Sequence, residues 1–191
     1  MSDETAIAGT SGESIKERTV GRGEAAKPPA IQGTFVEELA AGLGAGQMAG
    51  DEETLTVYSV DQGPMLERHL PLAVVWAESV EDVQHIVRSC AAHQVPIVAR
   101  GAGTGVSGGA HATQGCIVLS LERMNRILDL NPDDETAVVE PGVINAELNA
   151  AAAKHGLMYA PDPASYKIST IGGNVATNAG GLKEPRSESW C

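Results

Sequence analysis

The sequence contains few aromatic and few basic residues. Phe, Trp and Tyr make up only 3% of its 191 residues, and 13 Lys and Arg stand against 25 Asp and Glu, which gives a net charge of -12. Such an acidic chain is a poor candidate for binding a phosphate backbone, so no nucleic acid partner is expected. Because aromatic bulk is scarce and 22 residues are glycine, we expect close backbone packing and tight turns.

Long apolar runs and clustered cysteines are also lacking. No uninterrupted apolar stretch is long enough to cross a bilayer, and the polar N-terminus has no apolar signal core, so we expect neither a transmembrane segment nor secretion. Cys90, Cys116 and Cys191 are odd in number and widely spaced, which argues against a disulfide framework and a cysteine zinc site. The five histidines form no HxH or HxxxH pair, so no metal site is expected. Together these features favour a reducing, cytoplasmic location.

We expect four segments, namely residues 1–53, 54–69, 70–183 and 184–191; composition sets off the first, and the resemblance described below bounds the last two. The first is rich in small and acidic residues and has one aromatic residue, Phe35, so we expect a largely disordered acidic tail. Within it, Phe35, Leu39 and Leu43 at a spacing of four predict one or two helical turns over residues 35–43. Residues 54–69 lead into the folded domain, which is residues 70–183. The last has no apolar periodicity and is expected to lie outside that domain.

The folded segment begins with short apolar runs around one amphipathic helix. The apolar spacing from Val83 to Ala91 predicts a helix over residues 80–93, and Ser79 with Asp82 forms a capping-box pattern at its start. A strand, a helix and a second strand in this order imply parallel pairing. The runs themselves predict strands at residues 72–76, 96–99 and 116–119.

A hairpin and a second helix are predicted further along the chain. Residues 126–130 and 136–140 flank an Asn-Pro-Asp-Asp sequence, whose residue types are typical of a tight turn. The helix is predicted over residues 146–155, with Asn145 as its cap and Gly156 at its end.

A glycine-rich loop follows the second predicted strand. Residues 100–110 read RGAGTGVSGGA, and Gly103, Gly105 and Gly108 match the GxGxxG dinucleotide fingerprint. That fingerprint needs a helix opening on the loop, and no helix with an apolar face fits before Cys116, so we reject it. If phosphates bind here, the backbone N–H groups of the loop itself must hold them. The alternative is a plain glycine-rich turn between strands.

A second small-residue segment, residues 161–181, reads PDPASYKISTIGGNVATNAGG. Asn174, Thr177 and Asn178 offer amide and hydroxyl groups of both polarities, which suit a flat heteroaromatic ring with carbonyl and N–H edges. The alternative is a polar loop with helix caps.

Taken together, the two segments resemble a known family. Residues 70–183 are similar to the FAD-binding domain of the vanillyl-alcohol oxidase / p-cresol methylhydroxylase superfamily, and within it to the branch of glycolate oxidase and D-lactate dehydrogenase. The resemblance implies an α+β fold, with a small parallel sheet and helices followed by a partial second sheet. The stretches that carry it are PLAVVWAESVEDVQHIV, PIVARGAGTGVSGGA, VVEPGVINAELNAAAAKHGL, PDPAS and STIGGNVATNAGG.

The resemblance implies FAD as the cofactor. Thr104 stands where related enzymes carry a flavin-bonding histidine, so non-covalent binding is expected, and His111 is expected to be a surface loop residue. The first loop would wrap the pyrophosphate through Gly101, Ala102, Gly103, Thr104, Gly105, Ser107 and Gly108. The second segment would line the ribityl chain and isoalloxazine through Pro161, Asp162, Ser165, Thr170, Gly172, Gly173, Asn174, Thr177, Asn178 and Gly181.

The activity implied by the resemblance is oxidation of a small 2-hydroxy acid such as glycolate or D-lactate. In that chemistry a hydride passes from substrate to flavin N5 while a base takes the hydroxyl proton. In the family the chain continues into a substrate-binding cap, whereas residues 184–191 do not resemble family sequence. We therefore expect a truncated FAD-binding domain with no catalytic residue of its own, inactive alone. Two alternatives stay open: a flavin-site subunit completed by a partner chain, and a non-functional remnant.

Overall fold

The computed structural model describes residues 32–64 and 67–181. The predicted tail before residue 32 and the predicted terminal segment 184–191 therefore lie outside the described residues. The elements follow the order α1 (Gln32–Ala41), β1 (Met48–Ala49), α2 (Glu52–Tyr58), β2 (Val74–Trp76), α3 (Val80–His93), β3 (Ile97–Arg100), β4 (Ile117–Ser120), β5 (Ile127–Asn131), β6 (Thr136–Val139), α4 (Asn145–Ala153) and α5 (Ile171–Ala176).

Four strands form a mixed sheet in the order β1-β2-β4-β3. β2 and β3 both run parallel to β4, with Val74 and Val98 flanking Val118 from its two sides, while β1 adds antiparallel to β2. The prediction of parallel pairing is confirmed, and the three predicted strands lie within two residues of their expected bounds. Helix α3 connects β2 to β3, which are not neighbours in the sheet because β4 lies between them.

Helix α3 matches the predicted helix, bounds included, and it covers one face of the sheet. The capping box is present: the Ser79 hydroxyl accepts from the Asp82 amide, and the Asp82 carboxylate accepts from the Ser79 amide, both at 3.1 Å. Ile86 and Cys90 of α3 are buried in the core. Burial raises the pKa of the Cys90 thiol to about 11, so Cys90 serves as a small apolar core residue.

The expectation of a largely disordered segment over residues 1–53 is wrong for its described part. Helix α1 is longer than the one or two turns expected, and its Phe35 and Leu39 are fully buried in the cluster that includes Ile86 of α3. Gln47 donates a hydrogen bond of 2.8 Å to Asp82 and so joins the segment to the start of α3. Tertiary burial of two apolar side chains offsets the ordering entropy, and composition alone does not reveal that docking.

The predicted hairpin is formed by β5 and β6, which make a separate two-stranded sheet. Its turn is held by the Asn131 side chain, whose Oδ1 accepts from the amides of Asp133 and Asp134. At the open end, Arg126 binds the carboxylate of Glu140 through two guanidinium nitrogens. The α+β architecture with a partial second sheet is therefore the one expected.

Asn145 is not the cap of α4, contrary to the prediction. The N-cap is Ile144, which makes no side-chain capping bond, and the helix ends at Ala153, with Gly156 turning the chain beyond it at a φ of +74°. Asn145 is instead buried and donates to Pro161 and to Asn174. Its amide therefore stabilises tertiary structure, because a buried polar group needs partners wherever the fold supplies them.

None of the helices in the described part of the chain has the length and hydropathy that crossing a bilayer requires.

Candidate functional site

The glycine-rich loop connects β3 directly to β4. No helix occurs among residues 101–116, which agrees with the rejection of the dinucleotide fingerprint. Gly103 and Gly108 adopt φ angles of +66° and +77°, in the left-handed region that L side chains rarely enter. The loop therefore depends on glycine at these two positions to fold back on itself.

Most backbone amides of this loop make no hydrogen bond within the protein. Within the described ranges, no amide of residues 101–109 donates to a protein acceptor, whereas the next amides do: Ala110 to Asp61, His111 to Gly108 and Ala112 to Ser59. Residues 101–105 are half-buried, whereas Val106, Ser107 and Gly109 are exposed, so the first half of the loop forms a partly enclosed bend. Successive unpaired N–H groups in a glycine-rich bend form a site for an anion such as a phosphate group.

The second segment folds into the short helix α5, which the sequence did not predict. Thr170 caps it, because its Oγ1 accepts from the Gly173 amide at 3.2 Å. The other early amides are also used within the protein, since Ile171 donates to Val143 and Gly172 to Pro141. The start of α5 is thus satisfied internally, which leaves anion binding to the glycine-rich loop.

The two segments meet at Gly101 and Thr170. A Cβ atom built on Gly101 would overlap Thr170 Oγ1, and it would lie 3.4 Å from Thr170 Cβ. Only a residue without a side chain allows the first loop to pack this closely on the cap of α5. The sequence segments 100–110 and 161–181 are therefore in contact and form the two walls of the candidate site.

Asn174 lies in the interior of this site. It is 2% exposed, its Oδ1 accepts from Asn145 at 2.9 Å, and its Nδ2 donates to Ser169 Oγ at 3.1 Å. The Asn145 amide also donates to the carbonyl of Pro161. Through Asn145, Asn174 links α5 to the backbone at Pro161. The Asn174 side chain is buried and does not lie at the surface that a ligand would meet.

Other predicted residues of the second segment lie at the surface. Thr177 and Asn178 are exposed, and Asn178 adopts a φ of +49° at the end of α5. Gly181 returns against the backbone of Asp162, where a Cβ would overlap the Asp162 carbonyl. Ser165 is half-buried, in the turns that follow Pro163. Beside them is an open groove of about 340 Å³, lined by Asp162, Pro163, Ala164, Tyr166 and Gly181.

His111 is expected to be a surface loop residue, but its side chain is mostly buried. Its side chain is only 14% exposed, and Nε2 lies 2.7 Å from Asp61 Oδ1, in a close contact that is not aligned as a hydrogen bond. The Asp61 side chain is 1% exposed. The sequence reasoning missed Asp61 because it lies in the lead-in segment, far from either motif.

Arg100, the last residue of β3, also escaped the sequence reasoning. It is 8% exposed, donates from Nη1 to the Val60 carbonyl at 2.6 Å, and lies over the Tyr58 ring at 5.1 Å. Burial lowers the pKa of its guanidinium. Arg100 therefore ties the start of the glycine-rich loop to the lead-in segment. Across the described residues, no group of three or more His, Cys, Asp or Glu side chains is arranged to hold a metal ion.

Comparison with known proteins identifies the family of the chain. Residues 71–191 match a family model described as "FAD binding domain", and the match includes residues 184–191, which we expected to lie outside the family. Glycolate oxidase subunit GlcD of Bacillus subtilis (strain 168) is 44% identical over 127 residues, which are 66% of this chain and 27% of that protein. D-2-hydroxyglutarate dehydrogenase of Stutzerimonas stutzeri (strain A1501) is 42% identical over 152 residues, which are 78% of this chain and 32% of that protein.

The fold is shared with solved flavoenzymes. The structure of p-cresol methylhydroxylase with substrate bound has a TM-score of 0.65 and 28% sequence identity, and the similarity covers 74% of this chain and 28% of that one. This chain spans about a quarter to a third of the length of the relatives it matches. It therefore belongs to the FAD-binding domain family of the vanillyl-alcohol oxidase / p-cresol methylhydroxylase superfamily, whose cofactor is FAD.

Proposed function

We propose that this chain binds FAD non-covalently, as the flavin-binding part of an oxidoreductase that acts on a small 2-hydroxy acid. The observation that carries the proposal is the loop of residues 101–109, whose unpaired backbone amides lie in a bend packed against Thr170. A pyrophosphate has the charge and the acceptor oxygens that such a bend binds. Thr104 and Ser107 add hydroxyl donors on the same loop.

The second segment would bind the flavin end of the cofactor. Thr177 and Asn178 present polar groups at the end of α5, and Asp162 with Gly181 lies along the open groove. Asn145 and Asn174 hold these parts together from inside. When bound, FAD supplies the two-electron acceptor for substrate oxidation. This chain's own residues bind and orient the FAD. Thr104 occupies the position where related enzymes carry the histidine that bonds the flavin, so no covalent bond forms there.

The substrate class comes from the names of the relatives. They include a glycolate oxidase subunit, a D-2-hydroxyglutarate dehydrogenase and, at 37% identity, the D-lactate dehydrogenase of Anaerostipes hadrus. Each acts on an acid with a hydroxyl group at carbon 2. Because this chain corresponds to about a quarter to a third of those proteins, we propose that the chain alone does not turn over such acids. A reducing, cytoplasmic setting is part of the proposal and agrees with the free, buried Cys90 and Cys116.

Titration of the flavin-free chain with FAD tests the proposal. We expect saturable quenching of flavin fluorescence and a shift of the visible absorbance bands as the ring leaves water. After acid precipitation, the flavin should remain in the supernatant, because no covalent bond is formed. Flavin that stays with the pellet contradicts the non-covalent assignment, and a folded chain that leaves the fluorescence unchanged contradicts FAD binding by this chain.

A second candidate is a flavin-site subunit that a partner chain completes. Two observations favour it: the relative in Bacillus subtilis is named as a subunit, and the β5–β6 hairpin exposes Leu128 and Val138 by 56% and 54%. Exposed apolar side chains on a hairpin suit packing against another chain. The test is to purify the chain from its own host under native conditions and to measure the mass of the species that contains it. A complex with a second, larger chain supports this candidate, and a lone flavin-free monomer contradicts it.

A further inference from the structure

A short stretch before β2 lies directly beneath the glycine-rich loop. We infer that Asp61, in this floor segment of residues 59–63, is the positioning residue that holds the loop of residues 101–109 in its anion-binding shape. The inference rests on the proposed function, since the ligand of that loop is taken to be the FAD pyrophosphate. The family match begins at residue 71 and does not include the floor segment.

The backbone of the floor segment contacts the backbone of the glycine-rich loop. Gln62 donates to the Gly105 carbonyl at 2.9 Å. A Cβ built on Gly63 would lie 2.8 Å from the Val106 carbonyl oxygen and 2.9 Å from the Gly108 nitrogen, so the two backbones touch. Beyond the loop, Ala112 donates to Ser59 at 2.8 Å. The floor segment and the second half of the loop therefore fold as one unit.

Asp61 supplies the polar contacts within that unit. Its Oδ1 accepts from the Gly63 amide at 2.7 Å, its Oδ2 accepts from the Ala110 amide at 3.4 Å, and its Oδ1 contacts His111 Nε2 at 2.7 Å. A carboxylate that is 1% exposed must be satisfied within the protein, and Asp61 is satisfied by its own segment on one side and by the loop on the other. One side chain thus joins the floor segment to residues 110 and 111.

The arrangement matters for ligand binding because the loop does not fix its own amides. Within the described ranges the N–H groups of residues 101–109 have no protein acceptor, so contacts from outside must set their direction. Gln62 and Gly63 hold the middle of the loop, and Asp61 fixes its end at Ala110. Groups that are already oriented bind a ligand more tightly, because less freedom is lost on binding.

The test compares Asp61→Asn with Asp51→Asn in the full chain. Both variants remove one negative charge from the same part of the sequence, but Asp51 is exposed and caps α2, a role that asparagine fills equally well. An asparagine at position 61 places an NH₂ group against amides that also donate. We expect Asp61→Asn to weaken FAD affinity about tenfold and Asp51→Asn to leave it unchanged.

Amide exchange of the ligand-free chain separates positioning from general stability. In Asp61→Asn, exchange should accelerate at Gly63 and Ala110, while Val83 in α3 and Val118 in β4 keep the protection of the unaltered chain. Faster exchange at all four amides, or FAD affinity within about twofold of the unaltered chain, overturns the inference.

A milder variant, His111→Gln, keeps the inference testable if Asp61→Asn does not fold. It removes one partner of the carboxylate and should give a smaller loss of FAD affinity, with faster exchange at Ala110 alone. Unchanged exchange at Ala110 overturns the inference. If the unaltered chain binds no FAD, the proposed function fails, while the exchange of Gly63 and Ala110 in the variants still decides whether Asp61 holds the loop.

Discussion

Gly101 packs against Thr170 so closely that a Cβ atom on the glycine would overlap the threonine hydroxyl. The same hydroxyl accepts from the Gly173 amide and caps α5. This one contact joins the loop after β3 to the segment that precedes α5, although the two residues lie in motifs far apart in sequence.

Replacing Gly101 with alanine should therefore disturb both walls of the site. Because the overlapping atom belongs to a capping side chain, the strain either moves the loop or breaks the cap, and we expect a loss of about 1–3 kcal/mol in the free energy of unfolding. Urea denaturation followed by circular dichroism measures it. Gly50→Ala is the control, since a Cβ there meets nothing within 4 Å. Equal effects of the two substitutions contradict this account of the contact.

The buried amide pair of Asn145 and Asn174 should contribute to stability as one unit. Each residue is 2% exposed and the two side chains share a hydrogen bond of 2.9 Å, so removing either leaves the other without that partner in the interior. We expect Asn145→Ala and Asn174→Ala each to lower the free energy of unfolding by about 1–3 kcal/mol. The double variant should lose less than the sum of the two. Strict additivity in this cycle shows that the two amides act independently.

Stability should fall on acidification partly through Glu140. Hydrogen bonds from the Arg126 side chain and backbone hold the pKa of the Glu140 carboxyl below its ordinary value of 4.5. A lowered folded-state pKa stabilises the fold above the unfolded-state pKa, and this contribution is lost as the pH falls through the folded-state value. The difference in urea midpoint between the unaltered chain and Glu140→Gln should therefore be larger at about pH 7 than at about pH 3. A difference that does not change with pH excludes this ion pair as a source of acid sensitivity.

Cys90 and Cys116 should resist alkylation in the native chain. Both are buried in the core, and burial raises the pKa of each thiol, to about 11 for Cys90, so little thiolate exists near neutral pH. Iodoacetamide followed by peptide mass mapping should label them only after urea is added. Rapid labelling of Cys90 without denaturant is incompatible with its place in the core.

The sequence predicted correctly those elements that are stabilised by interactions between residues close together in the chain. The Ser79 and Asp82 capping box and the apolar face of α3 are local features, and the helix has its predicted bounds. The hairpin was found from its turn residues for the same reason, and Asn131 holds that turn through its own side chain. Such elements are readable because the interactions that fix them lie within a few residues.

The remaining elements depend on contacts that are distant in sequence. Helix α5 contains Gly172 and Gly173, which are poor helix formers, and it is held by its Thr170 cap and by the bond from Asn145 to Asn174. Helix α1 is ordered by docking on α3. The contact of Asp61 with His111 joins the floor segment to the end of the glycine-rich loop and has no local signature. These are the places where pattern reasoning failed.

Parallel titrations of the chain with FAD and with riboflavin test the central claim most directly. Riboflavin carries the same ring and ribityl chain but lacks both the pyrophosphate and the adenosine, so the salt-dependent part of the difference in affinity reports what the pyrophosphate contributes through the loop of residues 101–109. The account predicts that FAD binds at least about tenfold more tightly, and that added salt reduces the difference. Equal affinities for the two flavins contradict the assignment of the glycine-rich loop as the pyrophosphate site.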